Sequence, residues 1–130
     1  GTVAEANELK LPVGAEVDLV LRSADVIHSF WVPSLGGKLD MVPGRRNVLR
    51  IRAERPGVYR GQCAEYCGGP HAQMAFFAIA MPEEEFKRWL LSAGAGPGPG
   101  AAGRGAALFR AAGCGACHAV RGTDAVGTVG

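Results

Sequence analysis

Apolar and polar side chains alternate in three segments of the first 80 residues, and each segment predicts a β-strand. The apolar positions are Val17, Leu19 and Leu21 in the first segment, Leu49, Ile51 and Ala53 in the second, and Ala75, Phe77, Ile79 and Met81 in the third, where Phe76 and Ala78 occupy the other face. A period of two is typical of a strand with two different faces. Glycine and proline separate these segments. Short strands at this spacing predict an all-β sandwich.

The pattern changes after Pro82, where a short helix is predicted. Three glutamates follow this proline and would occupy the first turn of the helix. Acidic side chains interact favourably with the helix dipole at that end. Phe86, Trp89 and Leu90 are spaced i, i+3, i+4, so they share one apolar face that can pack on the sandwich. Gly94 is the expected end of this helix.

Beyond the helix the side chains become too small to bury much surface. Residues 92–104 are almost entirely Gly, Ala and Pro, which predicts a flexible linker. A short helix is expected over residues 106–112. We therefore divide the chain into a β domain at residues 1–91, a linker at 92–104 and a second segment at 105–130. That last segment is shorter than the ~40 residues at which chains usually fold unaided, so it is incomplete or depends on a cofactor.

The composition argues against a nucleic-acid-binding protein, a disordered chain and a membrane-spanning helix. The net charge is only +2, without the clustered basic excess that nucleic-acid binding needs. Hydrophobic residues make up 48% of the chain, enough for a core. No apolar run approaches the ~20 residues of a membrane-spanning helix. The informative residues are instead four Cys and three His, most of which fall in two short clusters.

The first cluster combines soft donors that suit a transition metal. Cys63, Cys67, His71 and Met74 lie within twelve residues, and His28 precedes them by 35. One Cys, two His and a weak Met describe a blue-copper site, but this cluster has one thiolate more. Two thiolates can bridge two metal ions, with one His on each and a thioether and a carbonyl oxygen as weak ligands. A disulfide between the two cysteines and a structural zinc held by both Cys and both His are the alternatives.

The second cluster is the C-x2-C-H motif formed by Cys114, Cys117 and His118. This motif is typical of covalent haem c attachment, with thioethers to the two cysteines and the histidine as an iron ligand. A thioredoxin-like C-x2-C is the alternative, but that motif normally follows a strand in a βαβ unit. Here the cysteines follow a Gly-rich linker and a short predicted helix. Haem attachment is therefore the interpretation we adopt.

Two stretches carry a specific resemblance to a known family. Residues 28–47 (HSFWVPSLGGKLDMVPGRRN) and 55–74 (RPGVYRGQCAEYCGGPHAQM) resemble the binuclear copper A domain of cytochrome c oxidase subunit II. The resemblance extends over residues 7–90. It implies a cupredoxin-like Greek-key β-sandwich with a short C-terminal helix, on the outer (periplasmic) face of the bacterial plasma membrane. Electrons would pass from cytochrome c to haem a in subunit I.

The resemblance also implies roles for individual residues. Cys63 and Cys67 would bridge two copper ions, His28 and His71 would bind one copper each, and Met74 and the backbone carbonyl of Glu65 would be the weak ligands. The Glu65 side chain would also help to hold a magnesium ion at the interface with subunit I, where Asp40 and Arg45 would lie. From the residues alone, the Asp40–Arg45 stretch is a solvated charged loop.

Residues 103–130 resemble the opening of a class I cytochrome c domain. No Met or second His follows His118, so the distal haem ligand is expected beyond Gly130 and haem c only in the full-length protein. The membrane helices and a Trp-rich strand of subunit II are also absent. We therefore expect the soluble portion of a membrane-anchored subunit II with a fused cytochrome c domain, as in caa3-type oxidases.

This interpretation makes the chain an electron relay without its own catalytic site, in a proton-translocating oxidoreductase. Its expected partners are subunit I and cytochrome c or another electron donor. One alternative is the copper A domain of nitrous oxide reductase, which usually has Trp at the position of Glu65. A copper storage or delivery module and a zinc-stabilised binding domain are alternatives from another class.

Overall fold

A computed structural model describes residues 3, 5–93, 103–120 and 123–127 of the chain. The chain divides into two compact units, one of Ala4–Lys87 and one of Gly1–Val3 with Arg88–Gly130. The predicted linker and the expected helix end at Gly94 lie largely outside the described residues, so the predicted boundaries remain predictions. No described helix is long and apolar enough to cross a membrane.

The first unit consists mainly of β-strands, as the alternating pattern predicts. In chain order they are β1 (Glu8–Pro12), β2 (Glu16–Leu21), β3 (His28–Trp31), β4 (Leu39–Met41), β5 (Asn47–Arg52), β6 (Gly57–Cys63) and β7 (Ala75–Met81). The expected alternation is present in β2 and β5. Leu21 and Ile51 are buried, and the residues directly before them, Val20 and Arg50, are exposed. The all-β prediction is thus confirmed for this unit.

The strands form two sheets. One has the order β1-β7-β6-β3-β4 and the other pairs β2 with β5. β1 runs parallel to β7, with Leu9 opposite Ala78, whereas the other pairs are antiparallel. The parallel pair joins the beginning of the unit to its last strand, so β7 is held on both sides.

The core lies where residues from both sheets meet. Leu11, Val32, Ile51 and Ala78 are buried together, with Phe30, Tyr59 and Phe76 among the partly buried side chains packed against them. In β7 the face that carries Phe76, Ala78 and Ala80 points into this region, whereas Phe77 is 51% exposed. The division of this strand into two faces agrees with the sequence pattern, but the face with smaller side chains packs against the core.

Gly61 allows β6 and β7 to pack closely. It lies opposite Phe76 in the strand register, and a Cβ at this position would overlap the Phe76 ring. That ring also contacts Phe30, with centroids 4.9 Å apart. The absence of a side chain at Gly61 therefore lets two aromatic rings cover the strand just before the cysteine loop.

Two helices follow the strands. α1 (Glu83–Ala93) has three glutamates in its first turn, as predicted, and Lys87 pairs with Glu83 and Glu84 at 2.9 and 3.0 Å. α2 (Arg104–Ala111) lies in the second unit and overlaps the helix expected over residues 106–112. It is followed by Gly113, whose φ of 71° is left-handed, and by a 3-10 turn at Cys114–Ala116.

Candidate metal centre

Two separate segments bring the donors of the first cluster together. His28 is the first residue of β3, and Cys63 is the last residue of β6. These strands are antiparallel neighbours, with Phe30 opposite Cys63. The pairing places Nδ1 of His28 3.8 Å from Sγ of Cys63, although 35 residues separate them in the chain.

The other donors lie on the loop between β6 and β7. The amide of Cys63 donates to the carbonyl of Met74 at 2.9 Å, which closes the loop at its base. A 3-10 turn at His71–Gln73 directs the loop back into β7. Gly68, with a φ of 125°, supplies a backbone conformation that side-chain-bearing residues rarely adopt. The loop is therefore closed by its own backbone.

The two cysteines face each other as free thiols. Their sulfur atoms are 3.8 Å apart, whereas a disulfide bond is about 2.0 Å long. Both side chains are partly buried. The spacing leaves room for ions between the sulfurs, and in this structure the disulfide alternative is not formed.

Each sulfur has its own imidazole and its own weak donor. Cys63 lies beside His28 and also 3.1 Å from the carbonyl oxygen of Glu65. Cys67 lies 3.5 Å from Nδ1 of His71 and 3.8 Å from Sδ of Met74. The structure thus brings together all six residues that the sequence analysis assigned to the binuclear copper centre.

This arrangement fits two soft metal ions better than one zinc. A tetrahedral zinc with bonds of about 2.0–2.3 Å gathers all four ligands around one point. Here the donors of His28, Cys63 and Cys67 lie within 4.8 Å of one another, but His71 is not part of that compact group. Thiolates, a thioether and imidazoles are the donors that copper prefers. The donor set therefore fits a copper site.

Backbone contacts tie the cysteine loop to β3. The amide of Ala64 donates to the carbonyl of Ser29 at 2.9 Å. Ser29 is 1% exposed, and its hydroxyl has no hydrogen-bond partner among the described residues. Because Ser29 directly follows His28, this hydrogen bond links the two donor segments immediately beside their ligands.

The surroundings of the two thiols differ electrostatically. Burial opposes ionisation of Cys63, but hydrogen bonds with the backbone of Glu65 and Ser29, together with those of His28 and His71, lower its pKa to about 6. Burial and the neighbouring Cys63 sulfur raise the pKa of Cys67. The first proton therefore leaves Cys63, and the resulting negative charge opposes loss of the second.

Asp25 orients His28 and was missed by the sequence analysis. Its Oδ1 lies 2.8 Å from Nε2 of His28, and it accepts a hydrogen bond from the Ser23 hydroxyl at 3.0 Å. The hydrogen bond with His28 is the main cause that lowers the pKa of Asp25 to about 2, and the same bond raises the pKa of His28. With Nε2 engaged by the carboxylate, Nδ1 is left to face the sulfur. The sequence feature that could have indicated this contact is the D-x-x-H spacing of Asp25 and His28.

Tyr66 is a second residue near the centre that the sequence did not single out. It lies between Glu65 and Cys67 and is 75% exposed. Its ring contacts the His71 ring edge-on, with centroids 5.6 Å apart. An exposed aromatic side chain thus contacts one of the imidazoles directly.

The predicted interface residues occupy β4 and the turn after it. Asp40 lies opposite Ser29 in the register, and its carbonyl accepts from the Asn47 side chain at 2.7 Å. The Arg45 amide closes a turn onto the Val42 carbonyl at 3.0 Å. The Arg45 and Glu65 side chains are exposed. No hydrogen bond or ion pair joins Asp40, Arg45 and Glu65 within the described part of the chain.

The predicted haem residues follow α2 directly. Cys114 begins the 3-10 turn, Cys117 is the residue directly after it, and the His118 amide donates to the Cys114 carbonyl at 2.9 Å. Cys117 and His118 are exposed. A cavity of about 140 Å³ in the same unit is lined partly by Phe109, Val120 and Ala125, and by none of the three motif residues. The motif is therefore compact, with two of its three side chains open to solvent.

A family model described as cytochrome C oxidase subunit II, periplasmic domain, matches residues 2–81. Among curated proteins, the cytochrome c oxidase subunit 2 of Alkalihalophilus pseudofirmus is 44% identical over 120 residues. That match covers 90% of this chain and 35% of the relative, so the chain spans about a third of the relative's length.

Solved structures agree with this result. The periplasmic domain of subunit II of the Bradyrhizobium japonicum cytochrome oxidase is 38% identical, with a TM-score of 0.64, over 68% of this chain and 64% of that one. A mixed disulfide intermediate between a thioredoxin-like protein and subunit II of cytochrome c oxidase is 37% identical, with a TM-score of 0.60. It is matched over 67% of this chain and 61% of the other. The cupredoxin-like fold that the sequence predicts is therefore confirmed.

Proposed function

Because this chain belongs to the family of the periplasmic domain of cytochrome c oxidase subunit II, we propose that it is an electron-transfer module of a haem-copper terminal oxidase. It would accept single electrons from cytochrome c, or from a haem c on the same chain, and pass them to haem a in subunit I. There they would reduce oxygen to water. The observation that carries this proposal is the pair of thiols 3.8 Å apart, each with its own imidazole.

The proposed ligands follow from this arrangement. Cys63 and Cys67 would bridge two copper ions, and His28 and His71 would bind one each. Met74 and the Glu65 carbonyl would be the weak ligands. When bound, the copper pair supplies a one-electron redox couple, and the protein itself makes and breaks no bond of the substrate.

The contribution of the chain is to hold these donors still. His28 is fixed from one side by Asp25 and from the other by the pairing of β3 with β6. The cysteine loop is closed between Cys63 and Met74, and Ala64 anchors it to β3. Donors that are positioned before an electron arrives need little rearrangement when it does, which favours fast transfer at a small driving force.

The family match disfavours the alternatives from the sequence analysis. A nitrous oxide reductase shares the cysteine loop, but the family model and the relatives described above are those of the oxidase subunit. A single structural zinc is disfavoured by the separation of His71 from the compact group of three donors. A copper storage or delivery module would not require two imidazoles on two different sulfurs.

Glu65, Asp40 and Arg45 are proposed to face subunit I. In support, β4 forms an edge of its sheet, and the Glu65 and Arg45 side chains are exposed. The Glu65 carboxylate would contribute to a magnesium site at that interface, since carboxylates are preferred ligands of this ion. Such a location corresponds to the outer face of a bacterial plasma membrane, to which the full-length protein would be anchored.

The second unit is proposed to carry haem c through Cys114, Cys117 and His118. A match that covers 90% of this chain must extend beyond the first unit, so the subunit 2 of Alkalihalophilus pseudofirmus is similar to much of the second unit as well. The haem would then be the intermediate donor to the copper pair. The domain arrangement that we propose is a copper domain at residues 1–91, a linker at 92–104 and a cytochrome c segment at 105–130.

A thioredoxin-like dithiol is proposed as a further partner of the cysteine pair. If Cys63 and Cys67 oxidise to a disulfide, a partner thiolate would attack one sulfur and release the other as a thiolate. A second partner thiol would then resolve the mixed disulfide, leaving both cysteines reduced and the partner oxidised. The solved mixed disulfide of a relative supports this step.

Copper binding tests the proposed function directly. Reconstitution of the reduced protein should give two copper ions per chain, measured by metal analysis. Electron paramagnetic resonance of the loaded protein should show hyperfine splitting from two equivalent copper nuclei, because the unpaired electron is shared. A colourless protein with one zinc, or with a single isolated copper, would contradict the proposal.

A further inference from the structure

Gly127 lies directly against the backbone of the C-x2-C-H motif. A Cβ at this position would overlap the carbonyl carbon of Cys117 and would lie 2.7 Å from the carbonyl carbon and oxygen of Ala116. Because interiors are close-packed, no residue with a side chain fits here unless the backbone moves. The overlap at Gly61 involves an aromatic ring, whereas these three atoms at Gly127 belong to the main chain of the motif.

Gly127 ends a return segment, residues 123–127, that pairs with the residues directly after His118. An antiparallel bridge joins Val126 of this segment to Ala119, the residue that follows the motif. The bridge lies one residue before Gly127, so it limits how far Gly127 can move away from the motif. An added side chain at Gly127 would therefore press on the motif itself.

Hydrogen bonds and one buried side chain hold the return segment in place. The Thr123 hydroxyl donates to the Val120 carbonyl at 2.8 Å and accepts from the Ala125 amide at 3.2 Å. The Val120 amide donates to the Ala125 carbonyl at 2.9 Å. Ala125 is 9% exposed, and a Cβ at Gly115, between the two cysteines, would lie 3.1 Å from its Cβ. The return segment thus packs on the motif at two places, both of which need glycine.

The motif has the groups that covalent haem attachment requires. Cys114 and Cys117 are free thiols, and Cys117 and His118 are exposed. Each thiol would add across one vinyl group of haem: an S–C bond forms, the thiol proton moves to the second vinyl carbon, and the C=C double bond becomes single. This addition consumes no oxidant or reductant, but each sulfur must be held beside its own vinyl group.

We propose that Gly127 is a positioning residue for haem attachment, because it lets the return segment pack on the Ala116–Cys117 backbone and so fixes the direction of the Cys117 side chain. This inference rests on the proposed attachment of haem c to the second unit. The contact is local, since Gly127 meets the second cysteine and the residue before it, whereas Cys114 begins the turn. A misplacement of about 1 Å can slow a reaction about 100-fold, so the defect should fall mainly on Cys117.

The test uses the full-length protein, expressed with a haem c attachment system and then denatured. Unreacted thiols are alkylated and located by peptide mass spectrometry, so that attachment at Cys114 and at Cys117 is counted separately. Gly127→Ala should lower attachment at Cys117 about tenfold and leave Cys114 attached. Its pyridine haemochrome spectrum should shift as for a single thioether. Gly105→Ala is the matched control and should behave as the unsubstituted protein, because a Cβ there would meet no atom within 4 Å.

A haem-free measurement tests the positioning directly. The His118 amide donates to the Cys114 carbonyl, so its hydrogen exchange in the reduced apo-protein reports whether the turn keeps its shape. Gly127→Ala should speed this exchange about tenfold, and Gly105→Ala should not. Thr123→Val removes two hydrogen bonds of the return segment without adding bulk, and it should act in the same direction in both measurements. It decides the question if the second unit fails to fold in Gly127→Ala.

The outcomes distinguish the inference from the proposed function. If the unsubstituted full-length protein attaches no haem, the proposed function of the second unit fails, and exchange of the His118 amide still decides whether Gly127 holds the turn. If Gly127→Ala attaches haem normally at Cys117, or leaves the His118 exchange rate unchanged, the inference is overturned. Equal loss at both cysteines in Gly127→Ala and in Thr123→Val would overturn it as well, because it would indicate general unfolding of the unit.

Discussion

Nε2 of His28 lies 2.8 Å from Oδ1 of Asp25, while Nδ1 of the same ring faces the sulfur of Cys63 at 3.8 Å. One imidazole thus connects a carboxylate to the candidate metal centre. The carboxylate fixes the tautomer and increases the basicity of the nitrogen that would bind metal.

Replacement of Asp25 should therefore weaken copper binding. We expect Asp25→Ala to lower the affinity by about 10- to 100-fold, which is typical for loss of such an outer partner. Competition with a copper chelator measures the change. Asp18→Ala is the matched control, because Asp18 is an exposed carboxylate that pairs with Arg50 instead. Equal affinities of the two variants would show that Asp25 does not support the ligand.

Removal of either thiol should destroy the binuclear site. Cys63→Ser and Cys67→Ser each leave a hydroxyl, a much poorer bridging ligand for copper than a thiolate. The copper content should fall from two ions per chain to at most one, and the resonance of a shared electron should disappear. Cys114→Ser should keep both coppers, because this cysteine lies after α2 in the second unit. A bridged pair that survives in Cys63→Ser would refute the ligand assignment.

The close contact at Gly61 predicts a cost in stability. In Gly61→Ala the new methyl group would overlap the Phe76 ring, which is already packed on Phe30. We expect the free energy of unfolding to decrease by about 1–3 kcal/mol, as for other overpacked sites. Urea unfolding of the metal-free protein measures it. Gly37→Ala is the control, since a Cβ at Gly37 would meet no atom within 4 Å. Similar unfolding midpoints would mean that the ring moves aside freely.

Covalent haem attachment is the prediction for the second unit. Expressed as part of the full-length protein with a haem c attachment system, the chain should retain haem after denaturation. Cys114→Ser or Cys117→Ser should lose a thioether bond, seen as a shift in the pyridine haemochrome spectrum. Cys67→Ser serves as the control that leaves this motif intact. A full-length protein that releases all of its haem on denaturation would contradict the assignment.

The strands and the cysteine loop were predictable because their signals are local. The alternation around Leu19 and Leu49 appears within a few positions, and the segment from Cys63 to Met74 already contains four of the five side-chain donors. Contacts between segments that are far apart in the chain produce no comparable local pattern in the sequence. Neither the approach of Lys38 to Ala64 nor the parallel pairing of β1 with β7 can be inferred from a period of two.

The buried face of β7 was difficult to predict from the sequence. Its two faces alternate as predicted, but both are apolar, so the pattern does not say which one is buried. The choice depends on Gly61, opposite in the register, which accommodates the Phe76 ring. Asp25 was overlooked because a single carboxylate three residues before a histidine is common on exposed turns.

His28 begins β3 and Cys63 ends β6, so copper binding by these two residues is coupled to the formation of the sheet that pairs the two strands. The two donors stay adjacent only while the backbone hydrogen bonds between these strands persist. Copper bound across them is therefore linked to folding, contributing about 2.7 kcal/mol when free copper exceeds its dissociation constant a hundredfold. On heating, release of copper and melting of the sheet should coincide, so the colour of the bound metal would report the folded fraction directly.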